Sequence, residues 1–125
     1  MIHLDTSFLI RALVRGSEQD QRLREWLRKG ETVGMSAVAW AEFLCGPLDA
    51  AQLQLVERTV PRRAPFTEDD ALLAARLFHD AGRQRGSRAD CMIAASAIRA
   101  QAPLATENPG HFRRFHAAGL RVVGA

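Results

Sequence analysis

The sequence predicts an α/β fold in which helices cover both faces of a central parallel sheet. Short apolar segments alternate along the chain with longer segments of helical periodicity, and glycines and prolines fall between them. Such alternation is typical of strand–helix–strand units, which build parallel sheets. The chain has 125 residues, 47% of them hydrophobic, so we expect a single domain over residues 1–125 with one core.

The first half of the chain predicts two strands, each followed by two helices. The segments 1–4 and 32–35 are short and mostly apolar, which is typical of strands in a buried sheet. Ser17 and Asp20 fit a capping box and Ser36 fits an N-cap, because their side chains can bond the free amides at a helix start. The predicted helices span residues 6–15, 17–30, 37–45 and 49–58.

The second half predicts an edge strand, two long helices and a closing pair of strands. Pro61 and Pro65 remove backbone donors from the extended segment 60–66, which therefore fits the edge of a sheet better than its centre. Thr67 and Asp70 form another capping-box pattern. The remaining predictions are helices over 67–82 and 87–102, strands over 103–106 and 120–123, and a helical or irregular segment over 109–118.

Composition excludes several classes of protein. No apolar stretch approaches the roughly 20 residues that cross a bilayer, and no basic segment precedes a hydrophobic one at the N-terminus. We therefore expect a cytoplasmic protein without a membrane span. Cys45 and Cys91 lie alone within apolar helical patterns, which predicts reduced core thiols rather than a disulfide or a zinc site.

The positive charge of the chain is carried by arginine. The formal net charge is +3, and Lys29 is the only lysine among 17 basic residues. Guanidinium groups bind phosphates bidentately, so this composition suits an anionic polymer such as RNA. The alternative is that these arginines only solvate exposed helix faces, and composition alone does not separate the two.

Three carboxylates occupy positions where apolar side chains are expected. Asp5 ends the first strand, Glu42 interrupts an apolar helix that we expect to be buried on nearly all sides, and Asp90 precedes the apolar run 91–95. Each has a structural alternative. Asp5 fits a helix N-cap, Glu42 fits a narrow solvated stripe paired with an arginine, and Asp90 fits the acid of a capping box that begins at Ser87.

Taken together, the three carboxylates predict a metal site. They belong to different elements, as the residues of a site assembled by the fold do. Like charges about 4 Å apart repel by roughly 4 kcal/mol at an effective dielectric constant of about 20, so their convergence requires a cation. Oxygen ligands favour Mg²⁺ or Mn²⁺, and the hydroxyls of Thr6 and Ser7 are candidates to support the ion or its water.

Four short segments then form a pattern in their order and spacing. They are Ile2-His3-Leu4-Asp5-Thr6-Ser7, Ala41-Glu42-Phe43, residues 89–97, and Leu104-Ala105-Thr106-Glu107-Asn108 followed by His111-Phe112. In this arrangement the chain resembles the PIN-domain family, specifically the VapC-type toxin ribonucleases of bacterial toxin–antitoxin pairs. The resemblance implies a three-layer α/β/α sandwich around a central parallel sheet, and a Mg²⁺- or Mn²⁺-dependent endoribonuclease.

The resemblance also implies roles and partners. Asp5, Glu42 and Asp90 would be the catalytic acids and the metal ligands. The protein would be a homodimer, inhibited by a VapB-like antitoxin whose C-terminal segment obstructs the acidic pocket. Where the family places a fourth acid, this chain has His111, which stays a candidate for a supporting role together with Asn108. Imidazole is a poor Mg²⁺ ligand, so either three carboxylates suffice, or a second metal binds weakly, or Mn²⁺ is favoured.

The expected reaction is hydrolysis of an RNA phosphodiester by a metal-activated water, which leaves a 5′-phosphate. Aromatic side chains for base stacking are scarce, which favours a structured RNA, tRNA among others, over an extended strand. The arginines expected to contact its phosphates are Arg11, Arg15, Arg85, Arg88, Arg113 and Arg114.

Two other functions fit the same residues. One is a non-catalytic PIN-like module that regulates by binding RNA or an antitoxin. The other is a phosphohydrolase with Asp5 as nucleophile, although Ser7 stands where such enzymes usually carry a second aspartate. Metal-dependent cleavage of RNA distinguishes the nuclease from both.

Overall fold

A five-stranded parallel sheet forms the centre of the protein. The computed structural model describes residues 1–84 and 86–123. All four strand pairings are parallel, and the strand order is β3-β2-β1-β4-β5. The strands are β1 (Ile2–Leu4), β2 (Val33–Ser36), β3 (Arg62–Ala64), β4 (Leu104–Ala105) and β5 (Val122–Val123). The predicted α/β class and the edge position of the proline-flanked strand β3 are confirmed.

Seven α-helices form within the described residues. They are α1 (Thr6–Ala12), α2 (Glu18–Arg28), α3 (Ala37–Leu44), α4 (Ala50–Thr59), α5 (Glu68–Asp80), α6 (Arg88–Arg99) and α7 (Pro109–Phe112), the last continued by a 3₁₀ segment over Arg113–Ala118. None of these helices has the length and apolar character that a bilayer span requires.

The chain direction along the sheet places the helices in two outer layers. From β1 to β3 the chain moves towards one edge, and the connection from β3 to β4 then crosses back to the other side of β1. Because such crossovers are right-handed, α1, α2 and α4 lie on one face of the sheet and α5 and α6 on the other. Helix α3 contacts both α1 and α6, one helix from each layer.

Helix starts follow the predicted capping residues in most cases. The Ser36 hydroxyl accepts the Ala39 amide at 3.0 Å, and Thr67 and Asp70 form the predicted reciprocal box at the start of α5. The box predicted at Ser17 is only half formed, because the Asp20 carboxylate accepts the Gly16 amide instead.

Two helices end three residues earlier than predicted, because the backbone turns left-handed just beyond them. Helix α1 stops at Ala12 rather than at residue 15, and Gly16 has φ +85° in the turn that leads into α2. Helix α6 stops at Arg99, and Gln101 has φ +54°. Neither conformation can continue a right-handed helix.

The core lies on both faces of the central strand. Leu4, Phe8, Met35, Ile93 and Leu104 are fully buried there. The burial of β1 on both faces explains why its sequence is apolar except for His3, and it fixes the carboxyl end of β1 at the centre of the molecule.

Candidate active site

The candidate site lies where the strand order reverses. Strands β1 and β4 are neighbours in the sheet, but the chain leaves them towards opposite edges. Asp5 follows β1 and Thr106 follows β4, so both lie at the carboxyl ends of this pair. A crevice forms at such a switch point, and open α/β sheets place their ligands there.

Asp5 is held by three neutral donors. Its Oδ1 accepts the Thr6 amide at 2.8 Å, and its Oδ2 accepts the hydroxyls of Ser7 at 3.0 Å and Thr106 at 2.8 Å. Asp5 is thus the N-cap of α1, as its structural alternative required, and it also stands at the switch point. The hydrogen bonds fix the plane of the carboxylate, so capping and a site role are compatible in one residue.

Backbone amides after β4 orient the two hydroxyls. The Glu107 amide donates to Ser7 Oγ at 3.1 Å, and the Asn108 amide donates to Thr106 Oγ1 at 3.0 Å. A hydroxyl that accepts from an amide directs its own proton elsewhere, here to Asp5. The network therefore ties the carboxylate to the segment that follows β4.

Thr6 has a different role from Ser7. Its hydroxyl donates to the Ala39 carbonyl at 2.9 Å and lies 3.5 Å from Glu42 Oε1. This contact joins the start of α1 to α3 and brings the Glu42 carboxylate to the same end of the sheet as Asp5.

Glu42 lies on the solvent side of α3. The expectation of a helix buried on nearly all sides is wrong, because α3 is short and buries only Ala39 and Phe43. The partial burial of Glu42, with the nearby charges of Asp5 and Asp90, raises the pKa of its carboxyl. Among the described residues it forms no ion pair with an arginine, so the predicted structural alternative for Glu42 is only partly met.

The same exposure corrects one prediction about the thiols. Cys45 follows α3 on its solvent side and is exposed rather than part of the core, whereas Cys91 is buried as predicted.

Asp90 lies in the first turn of α6 and is half-buried. The capping box predicted from Ser87 does not form, because Ser87 has helical φ and ψ and its hydroxyl donates to the Gln84 carbonyl at 2.7 Å. Burial raises the pKa of Asp90 and the charge of Asp5 adds to this, while His111 and Arg114 oppose it.

Two basic side chains face one oxygen of Asp90. His111 Nδ1 lies 3.9 Å and Arg114 Nη2 lies 3.8 Å from its Oδ2. The His111 side chain is 66% exposed and that of Arg114 only 22%, so the arginine is the fixed partner of the two. Within the described part of the chain, neither His111 nor Arg114 lies at ion-pair distance from the carboxylate of Asp5 or Glu42.

The three acids are electrostatically coupled but are not closed around one point. Across residues 1–84 and 86–123, no three His, Cys, Asp or Glu side chains are grouped tightly enough to enclose an ion. Mg²⁺ commonly binds through one or two carboxylates and keeps several waters. The donor set therefore fits a hard, partly hydrated dication, and it does not fit a cage made of protein ligands alone.

The sequence profile of the PIN domain matches residues 2–117, almost the whole chain. The chain belongs to the PIN domain family. No curated protein matches it significantly.

Solved structures agree with this membership. VapBC2 from Rickettsia felis bound to a promoter DNA fragment is 21% identical with TM-score 0.77, and the alignment covers 100% of this chain and 99% of that one. FitAcB from Neisseria gonorrhoeae is 25% identical with TM-score 0.71, covering 98% and 96%. A toxin–antitoxin complex from Klebsiella pneumoniae is 22% identical with TM-score 0.73, covering 90% and 91%. At these identities the likeness establishes a shared PIN fold.

The predicted arginines of this PIN domain are distributed unevenly. Helix α1 begins beside Asp5 and runs away from it, so Arg11 lies about 7.5 Å farther along the helix axis than Thr6, and Arg15 lies beyond the end of α1. Arg88 lies over the Phe78 ring at 5.7 Å, next to α5.

The other predicted residues lie after β4, with one exception. Asn108 and Arg113 are exposed, and only the Asn108 backbone contributes to the hydrogen-bond network. Arg85 lies outside the described residues. Of the five predicted arginines that the structure describes, Arg114 is the one that lies beside a carboxylate of the site.

Thr106 is the site residue that the sequence prediction missed. It was placed inside the strand predicted over 103–106, whereas β4 ends at Ala105. The signal that could have found it is positional. Thr106 follows β4 as Asp5 follows β1, and the carboxyl ends of parallel neighbours meet at one edge of a PIN domain sheet.

Proposed function

We propose that this PIN domain is a Mg²⁺- or Mn²⁺-dependent endoribonuclease and the toxin of a type II toxin–antitoxin pair. The observation that carries the proposal is the buried Asp5 carboxylate, fixed by two hydroxyls and an amide at the switch point. Burial raises the pKa of Glu42 and of Asp90, and the charge of Asp5 raises both further. Coupled acids in a crevice are typical of catalytic sites rather than of helix caps alone. The toxin–antitoxin assemblies among the similar structures support the biological role.

Each acid has a distinct part in this proposal. Asp5 and Asp90 hold the dication, which when bound supplies a positive charge and a more acidic water. Glu42 keeps solvent access and has a raised pKa, which suits a group that accepts a proton from the attacking water. Because water is the nucleophile, the products carry a 5′-phosphate and a 3′-hydroxyl.

RNA is the substrate that the charge of the chain favours. The net charge is +3, and phosphate contacts by arginine give affinity without sequence choice. The two tryptophans pack against neighbouring side chains, Trp26 on Phe8 and Trp40 on Phe43, so they are poorly placed to stack unpaired bases. We infer a structured RNA, such as tRNA, recognised largely by shape.

The partners follow from the same proposal. We call the region around Asp5, Glu42 and Asp90 the acid crevice. An antitoxin that covers the acid crevice would prevent RNA cleavage. The toxin would act as a homodimer in the cytoplasm. Two of the similar assemblies are bound to DNA, and this DNA binding is a property of those assemblies.

The decisive experiment uses the purified chain without antitoxin. Structured RNA is incubated with Mg²⁺, Mn²⁺ or EDTA, and the fragments are analysed for end groups. Asp5→Asn removes the charge while keeping a good N-cap, and Glu57→Gln on the exposed side of α4 is the matched control. We expect metal-dependent cleavage with 5′-phosphate ends in the native protein and in Glu57→Gln, and none in Asp5→Asn.

Two results would contradict the proposal. Cleavage by Asp5→Asn at the native rate would show that the Asp5 carboxylate takes no part in the reaction. Cyclic phosphate ends would show that the ribose hydroxyl is the nucleophile. RNA binding without cleavage in either metal would favour the non-catalytic module.

A further inference from the structure

Arg114 is the cation that the fold fixes beside the acids. Its Nη1 donates to Gln84 Oε1 at 2.6 Å, and its Nη2 lies 3.8 Å from Asp90 Oδ2. The guanidinium also lies over the Phe115 ring at 4.7 Å. Three different contacts thus restrain one side chain, whereas His111 next to it is largely exposed.

The Arg114 guanidinium nevertheless keeps unpaired hydrogen-bond donors. Its Nε is buried and has no acceptor within the described residues. The 3.8 Å separation from Asp90 is too long for a hydrogen bond, so the carboxylate orients Nη2 without binding it. A buried donor without an acceptor is unfavourable, which calls for an acceptor that arrives with a ligand.

Gln84 holds the guanidinium in place. The Gln84 carbonyl accepts the Ser87 hydroxyl at 2.7 Å, which ties the residue to the start of α6 near Asp90. Arg83 just before it has φ +56° and donates to His79 at 3.0 Å, which fixes the path of this turn. The backbone that carries the acceptor of Arg114 is therefore restrained on both sides of Gln84.

We propose that Arg114 binds the phosphate of the RNA backbone beside Asp90 and that Gln84 is its positioning residue. This rests on the proposed ribonuclease function and assigns one arginine to the reacting phosphate. A guanidinium matches two phosphate oxygens at once, and Arg114 has donors left unpaired at the acid crevice. The phosphate would gain a fixed positive charge beside Asp90.

The test measures kcat, KM and RNA affinity for four variants. Arg114→Met keeps the apolar stem and removes the charge, and Arg114→Lys keeps the charge and loses the fork. Gln84→Met removes the acceptor. Arg121→Met is the matched control, because Arg121 is exposed at the opposite end of the sheet, just before β5.

We expect kcat/KM to fall by about 10²-fold in Arg114→Met and by less in Arg114→Lys, as when one aligned donor to a transition state is lost. Gln84→Met should lower kcat/KM about tenfold without a change in unfolding temperature, a split that a purely structural role would not produce. Arg121→Met should be within about twofold of the native protein, since it removes an equal charge away from the crevice.

Affinity is measured by fluorescence anisotropy with a short labelled RNA in EDTA. The slope of log affinity against log salt should become shallower by about 0.7 in Arg114→Met and stay unchanged in Arg121→Met. If Arg114→Met does not fold, as judged by circular dichroism, the Arg114→Lys and Gln84→Met results decide the question.

The outcomes separate this proposal from the ribonuclease itself. Native cleavage with Arg114→Met as active as Arg121→Met overturns the Arg114 assignment and leaves the nuclease intact. A native protein that cleaves no RNA, but whose binding depends on Arg114 alone, supports the phosphate site and overturns the nuclease. Binding that is equal in all variants, without cleavage, overturns both.

Discussion

His3 lies within the central strand β1 and Asp5 lies two residues later, just beyond its end. Both side chains are buried, but only one of them has hydrogen-bond partners. Asp5 is 6% exposed and accepts three hydrogen bonds. His3 is 1% exposed, and neither ring nitrogen has a partner among the described residues. The polar group inside the strand thus has no partner, whereas the one just beyond its end has three.

The difference follows from position along the strand. His3 lies inside the ladder, where backbone groups are already paired, as its own amide is with the Pro103 carbonyl at 2.9 Å. Asp5 lies where β1 ends, so the first turn of α1 and the segment after β4 supply free amides and hydroxyls. A polar group at a strand end can be oriented by neighbours, and one in the middle of a buried sheet lowers stability instead.

The largest effect is expected from removing one of the hydrogen bonds that Asp5 accepts. Thr106→Val removes a hydroxyl from Asp5 Oδ2 and leaves the shape of the side chain nearly unchanged. Loss of a group that orients a metal-binding side chain typically costs 10–100-fold, so we expect RNA cleavage to fall by about that factor. The measurement is kcat/KM at saturating Mg²⁺ or Mn²⁺.

Thr106→Ser is the matched control for this prediction. It keeps the hydroxyl that donates to Asp5 and accepts the Asn108 amide, so cleavage should stay within a few-fold of the native rate. Equal activity of the valine and serine variants would mean that the hydroxyl does not matter to the reaction.

The sequence predicted much of the scaffold because local and long-range signals agree there. Asp5, Ser36 and Thr67 sit between a strand and a helix, where a capping side chain and a change of periodicity coincide. The edge position of β3 followed from proline, which cannot donate in a ladder. These features depend on residues close together in the chain.

The site was predicted less completely, because its contacts span the chain. Thr106 and Asp5 are 101 residues apart, and Arg114 and Gln84 are 30 apart, so no local pattern pairs them. The prediction that α3 is buried on nearly all sides was wrong, because the hydrophobicity of a short helix does not show how many other elements pack against it. The capping box expected at Asp90 failed because Ser87 takes helical dihedrals and bonds Gln84 instead.

A smaller effect, on the free energy of unfolding, is expected from replacing His3. His3→Leu replaces two unpaired ring nitrogens by an apolar side chain of similar size in a buried strand. Removing an unsatisfied buried polar group should raise the free energy of unfolding by about 1–2 kcal/mol. Urea denaturation measures the change, and Gln54→Leu, on the exposed surface of α4, should shift it by less than about 0.5 kcal/mol.

The smallest effect is a pH dependence that should belong to His3 alone. Burial lowers the pKa of His3 below 6.5, the nearby N-terminal ammonium lowers it further, and Asp70, itself paired with Arg99, opposes them. The unfolded chain therefore takes up a proton at His3 below about pH 6.5 that the folded protein does not, so this contribution to stability is lost as the pH falls.

The loss cannot exceed about 1.4 kcal/mol per pH unit for one group. Comparing native protein with His3→Leu by urea denaturation at successive pH values from about 7 to 5.5 isolates it, because other titrating groups contribute equally to both. The gap between the two stability curves should widen as the pH falls below 6.5. A constant gap would show that the folded protein protonates His3 as readily as the unfolded chain, and that its ring nitrogens have found partners after all.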